Sequence, residues 1–168
     1  MTLLDELLEA WRYTREGVIA EAENLPLDRF QEAPPGLLRS PLDVVNHIVE
    51  SGWLMAGELS LADGDFQRKP YADLVAEHTP PGAHAQGAAA ALDSLRRGFA
   101  QGEAQLRAAG LEHMLRPIRQ FNGLPASRLA WMHHGIAHEE YHRGQLALYA
   151  RLLGETPALT KQILGEAG

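Results

Sequence analysis

Apolar residues along the 168-residue chain recur at helical spacing in four separate stretches, and nowhere do β-branched and polar residues alternate for long enough to make a strand. An all-α fold follows. Leu4, Leu7, Leu8, Trp11, Val18 and Ala22 mark a first helix from Leu3 to about Ala22, opened by a Thr2-x-x-Asp5 capping box. Ser40, Pro41 and Asp43 open a second, which runs to about Leu59 through Val44-Val45-Asn46-His47-Ile48-Val49. A third, Gly87 to Ala109, carries Leu92, Leu95, Phe99 and Leu106 on one side, is weakened by Gly98 and Gly102, and is closed by Gly110. The fourth and longest, Ala126 to Leu153, stops at Gly154.

The connections bear on topology. Asn24 to Arg39 contains Pro26, Pro34, Pro35 and Gly36, with one short turn expected around Leu27 to Glu32. Leu61 to Gln86 is too long for a tight bundle loop and reads as a crossover or lid, with a short helix near Tyr71 to Glu77. A last irregular stretch carries Pro117, Asn122-Gly123 and Pro125. Long connections after the first and second helices predict an antiparallel four-helix bundle, a single domain over residues 1–168 in which facing side chains can build a site.

Composition narrows the chemistry. With 45% apolar residues the chain can bury a core without staples, so any metal would serve function rather than folding. The absence of cysteine removes a disulfide scaffold, a thiolate zinc site and a cysteine nucleophile. A formal charge of −7, with lysine only at Lys69 and Lys161, argues against a nucleic-acid partner. No apolar run reaches 18 residues and the first residues carry acids where a signal peptide carries bases, so no membrane association and a cytoplasmic location are expected.

Three of the eight histidines, His134, His138 and His142, recur every four residues on the fourth helix. They drift only about 40° per step and stand about 6 Å apart along the axis, so they share one side. Trp131, Tyr141, Gln145, Tyr149 and Leu152 lie on that side, whereas His133, Glu140, Arg143 and Arg151 point the other way; the histidines are therefore expected at the centre of the core-facing stripe. Such residues are either hydrogen-bonded core histidines or ligands, since neutral imidazoles at i, i+4 suit a divalent metal. His134 and His142 are too far apart to share an ion, which leaves the pair 134/138 or the pair 138/142. His47 is the natural third ligand, although it falls off the Leu42, Val45, Val49, Trp53 stripe, beside Val44, Ser51 and Leu54. It is buried only if the second helix is covered on two sides.

His138-Glu139-x-x-His142 also matches the zincin pattern, in which two histidines hold zinc and the glutamate is the general base. Leu148 stands where the metzincin extension needs its third histidine, so a metallopeptidase is the weaker alternative. A di-iron centre would need a second Glu-x-x-His motif and two further glutamates, and the other helices do not supply them.

His47 together with the run His134-Gly-Ile-Ala-His138-Glu139-Glu-Tyr-His142-Arg143-Gly144-Gln145 and the following Leu-Tyr-Ala-Arg-Leu-Leu-Gly154 resembles the DinB/YfiT superfamily of damage-inducible bacterial proteins, over nearly the whole chain. The resemblance implies an up-up-down-down four-helix bundle, often a homodimer, with a divalent metal held by His47, His138 and His142. His134 would line the pocket or support a ligand. Glu139 would orient a ligand histidine or flank the site in solvent, and Tyr141 would stand nearby. Characterised relatives include thiol-dependent S-transferases and a thiol-dependent isomerase. The resemblance thus implies a metal-dependent enzyme that activates a low-molecular-weight thiol or water against a small-molecule substrate, by S-transfer or hydrolysis. Zinc or nickel is the expected metal, and iron, manganese and cobalt also suit three imidazoles. The alternative is a non-catalytic stress-induced binding protein. The crossover, with Phe66, Arg68, Lys69, Tyr71, His78 and His84, is where substrate selectivity is expected.

Overall fold

Both N-terminal capping boxes form, and each fixes the start of a bundle helix. The Thr2 and Ser40 amides each donate at 2.8 Å to the carboxylates of Asp5 and Asp43, opening α1 (Leu3–Glu23) and α2 (Pro41–Ser60). The computed structural model describes residues 1–166, so the last two residues of the expected single domain lie outside the description. After the crossover helix α3 (Tyr71–His78) come α4 (Ala88–Met114), a two-stranded hairpin, α5 (Arg128–Leu152) and the short α6 (Ala158–Leu164). Gly110 breaks α4 as its residue type predicts, with φ +76°, but the chain resumes for one more turn to Met114.

Two sequence expectations are corrected here. Strands are present: β1 (Pro117–Arg119) pairs antiparallel with β2 (Pro125–Ser127) around Asn122-Gly123, and three residues are too few for an alternating pattern to reveal. The helix directions also differ from up-up-down-down. Asp5 pairs with Arg107 and Glu23 with Arg96, so α1 and α4 are antiparallel. Trp11 reaches Glu139 while Asn24 reaches the Thr156 carbonyl beyond α5, so α1 and α5 run parallel. Tyr149 reaches the Arg39 carbonyl and Arg128 the Ala62 carbonyl, so α2 and α5 are antiparallel. The order is up-down-down-up. The physical reason lies in residues 24–40: three prolines and a 3-10 turn at Leu27–Arg29 fold this segment over one end of the bundle, with Leu25 and Phe30 buried as its plug. Only residues 61–87 travel the bundle's length, as a parallel α2–α4 pair requires.

α1 and α2 each pack on both α4 and α5, giving an all-α bundle in which α1 lies diagonally across from α2. The apolar interior falls into two clusters, one around Val18, Ile48, Leu95 and Leu146, the other around Trp11, Leu59, Leu106 and Met132. At the level where they meet, the buried Arg15 donates from Nε and Nη2 to Glu139 at 2.9 and 2.6 Å, and from Nη1 to the Leu95 carbonyl at 2.7 Å. Trp11 Nε1 completes the network by donating to Glu139 at 2.7 Å. Every charge in this layer therefore has a partner, which is what makes its burial tolerable.

Gly102, which looks like a weak point of α4 in sequence, is a point of close approach. A Cβ there would stand 2.7 Å from the Trp11 ring and 3.0 Å from the Ala56 Cβ, both rigid neighbours. Gly102→Val should lower the unfolding free energy by about 2 kcal/mol in a urea melt, the usual cost of overpacking, despite its gain in helix propensity.

Candidate functional site

The phase of α5 decides where the histidines stand. Its buried side centres on Met132, Ile136, Glu139, Arg143, Leu146 and Ala150, while the row of His134, His138 and His142 lies roughly a third of a turn away, facing α2 and the crossover; along that row only His142, with Tyr149 beyond it, is itself buried. The expected placement at the centre of the core stripe is corrected accordingly. Glu139 and Arg143, which on a helical wheel mark a solvent side, are buried; Tyr141 is 73% exposed, its ring touching that of His142 from outside, so it does not line an interior pocket. Arg143 packs against Gly17, lies over the Tyr13 ring and pairs with Glu140.

On α2, Val44, Val45, Ile48 and Val49 are all buried, so the helix is covered on two sides and His47 is half-buried between them. Because α2 and α5 are antiparallel, His47 meets His138 and His142. The Nε2 atoms of His47 and His138 are 3.1 Å apart, as are those of His138 and His142. One nitrogen from each ring lies within 4.8 Å of the other two, whereas His134, one turn earlier and exposed, is not part of the cluster. Two bonds of about 2.1 Å to a tetrahedral zinc would separate ligand nitrogens by about 3.4 Å, so this spacing suits a metal.

Protonation favours a cation too. Burial, then the proximity of His138 and His142, then Arg39, lower the His47 pKa to about 4. Burial and His142 lower that of His138; burial also lowers that of His142, outweighing its bond to Gln145. All three rings are neutral at pH 7 and converge through their Nε2 atoms, so each can present a lone pair to a cation. The metal-free protein should show the linkage: between about 6.5 and 4 the unfolded chain takes up protons that the folded chain refuses, so stability is full above pH 6.5 and falls as pH drops through that window. His47→Asn should flatten this fall, which urea melts at pH 7, 5.5 and 4.5 measure.

A relay fixes the His142 tautomer. The Arg39 carbonyl can only accept, so Tyr149 Oη donates to it at 3.0 Å and accepts from Gln145 Nε2 at 2.7 Å. Gln145 Oε1 is thereby turned to accept from His142 Nδ1 at 3.0 Å, which leaves Nε2 of His142 unprotonated. Gln145→Leu should weaken metal affinity roughly 10–100-fold without unfolding the chain, as read by competition with a chromogenic chelator.

Glu139 does not orient a histidine: both its oxygens are committed to Arg15 and Trp11, and it makes no hydrogen bond to an imidazole. It is equally unavailable as a general base, which removes the zincin reading. Nothing in the sequence marks Arg15 as its partner, 124 positions away. A second acidic cluster, Glu58 with Glu77 and His78, is likewise occupied. Burial alone would raise the Glu58 pKa, but Arg68, His78 and the Asp65 amide hold it below the usual range. Of the crossover residues, Arg68 and His78 bind Glu58, Lys69 binds Glu77 and His84 binds Glu50. Phe66 and Tyr71 instead line a cavity of about 290 Å³ that opens beside His138, with His134 at its wall. Phe121, on the hairpin, completes that wall and has no sequence signal pointing to it.

An all-α bundle with a cluster of imidazoles between its second and last long helices defines the class. The model of the DinB superfamily matches residues 10–146, and the chain belongs to that superfamily. The fold resembles a DinB-like protein from Bacillus subtilis, with TM-score 0.63 and 22% identity over 90% of this chain and 93% of that one. It also resembles a variant of the mycothiol-dependent maleylpyruvate isomerase, with TM-score 0.64 and 12% identity; 87% of this chain matches 63% of that longer protein. No curated protein matches by sequence. No helix among the described residues is long and apolar enough to cross a membrane.

Proposed function

We propose that this chain is a metal-dependent enzyme acting on a small molecule, with His47, His138 and His142 as ligands to a divalent metal, zinc or nickel foremost. The observation that carries the reading is the convergence of three neutral Nε2 atoms, two pairs at 3.1 Å, beside an aromatic cavity. A divalent cation held there lowers the pKa of a thiol or water toward neutrality and so supplies a nucleophile. The chain's own residues do the rest. Gln145 keeps the His142 Nδ1 proton away from the site, the cavity offers the substrate an apolar surface beside His138, and His134 at its wall is placed to take up or return a proton. The isomerase neighbour's dependence on mycothiol favours a thiol over water as the activated group.

The test is a panel of low-molecular-weight thiols and electrophiles with zinc- and nickel-loaded protein. Metal-dependent thiol consumption that disappears in His138→Ala supports the reading. Bound metal without turnover on any pair favours a non-catalytic binding protein.

A further inference from the structure

The cavity beside His138 has a composition that selects among substrates, if the triad is the reacting centre proposed above. Its walls are Leu54, Met55, Phe66, Phe121 and Trp131; its polar groups are Ser51, the Tyr71 hydroxyl and the two histidines. No Asp, Glu, Lys or Arg lines it. The charges of the adjoining crossover are tied up in ion pairs, Arg68 and Lys69 with Glu77 and Glu50 with His84. An ionised group placed against the ring side of the cavity, away from the triad, would lose its hydration without a partner there.

The rings also define a shape. Phe66, Phe121 and Trp131 touch one another, with centroids 4.8, 5.2 and 5.7 Å apart and planes tilted by 54°, 49° and 66°, so they form one contiguous aromatic corner of faces and edges. A flat aromatic group can stack on one of these faces while meeting the edge of its neighbour, the two ring arrangements that aromatic pairs prefer. The corner is built before any ligand arrives. The Phe66 amide donates to the Arg119 carbonyl at 3.1 Å, Gln67 Nε2 donates to the Phe121 carbonyl at 2.8 Å, and Arg119 pairs with Asp65, together pinning the crossover to the hairpin. At the rim, Phe121 and Tyr71 remain 42% and 49% exposed and touch each other at 5.8 Å, although they come from separate segments. The fold leaves this aromatic area uncovered.

We propose that the substrate of this site carries a small, flat, uncharged apolar group, an aromatic ring system or conjugated chain, which packs by face and edge against the Phe66, Phe121 and Trp131 rings with its reacting atom toward His138. At about 290 Å³ the cavity lies at the lower end of ligand sites, with room for one or two fused rings.

Calorimetric titration of the metal-free chain with 2-naphthol, 2-naphthalenesulfonate and decahydro-2-naphthol tests flatness and charge separately. The expected result is binding of 2-naphthol at least tenfold tighter than either of the others. Phe121→Ala should weaken it about tenfold while leaving the melting temperature unchanged, and Phe121→Trp should restore it. Equal or tighter binding of the sulfonate, or no effect of Phe121→Ala, overturns the proposal. Zinc titration of the same proteins keeps the two readings apart. Phe121→Ala should bind zinc as wild type does; failure of wild type to bind zinc refutes the triad, and 2-naphthol binding to the metal-free chain then still reports on the cavity.

Discussion

Glu139→Ala should destabilise the protein by about 3–5 kcal/mol, because it strands the Arg15 guanidinium and the Trp11 indole N–H in the core without an acceptor. For a chain of this size that is a drop of roughly 10 °C in the melting temperature, measurable by scanning calorimetry. Glu139→Gln keeps the shape and one acceptor oxygen and should fall between the two. Arg15 and Glu139 join α1, α4 and α5 where the two apolar clusters meet, so loss of either is felt in all three helices. Whatever fraction of Glu139→Ala folds should still bind zinc, since the side chain contacts no imidazole. A variant of unchanged stability would show that this polar layer is not what ties the helices together.

The second large effect comes from the metal. Zinc at about a thousandfold excess over its dissociation constant should stabilise the folded chain by about 4 kcal/mol, since a ligand bound only by the folded state shifts the equilibrium by mass action. The melting temperature of wild type should therefore rise by roughly 10 °C with zinc. The double variant His138→Ala, His142→Ala should show no such rise, and His47→Ala little. Equal zinc stabilisation of the double variant would place the ion elsewhere.

Much of this was readable in the chain because it rests on local signals. The four bundle helices announce themselves through their apolar period, the first two also through capping boxes, and His138, His142 and His47 through type and spacing; the i, i+4 geometry is local and survives folding unchanged. Three features were not legible, each for a physical reason. Helix direction depends on where a connection travels, and residues 24–40 look as long as a crossover while folding over one end of the bundle. The phase of α5 departs from its helical wheel because its buried stripe includes Glu139 and Arg143, charged residues whose burial depends on partners far away on α1. Phe121 joins the cavity only through the pairing of two three-residue strands, too short to leave a period in the sequence. The functional importance of Gln145 is equally a tertiary fact, since its orientation is inherited from the Arg39 carbonyl through Tyr149.

The most direct test of the central claim is the metal stoichiometry of tag-free protein, measured by mass spectrometry after incubation with zinc or nickel and exhaustive buffer exchange. Close to one divalent ion per chain is expected in wild type, and none in the His138→Ala, His142→Ala variant or in His47→Ala. Metal-free wild type, or equal metal in wild type and the triad variants, would refute the metal site and leave the three histidines as packing residues.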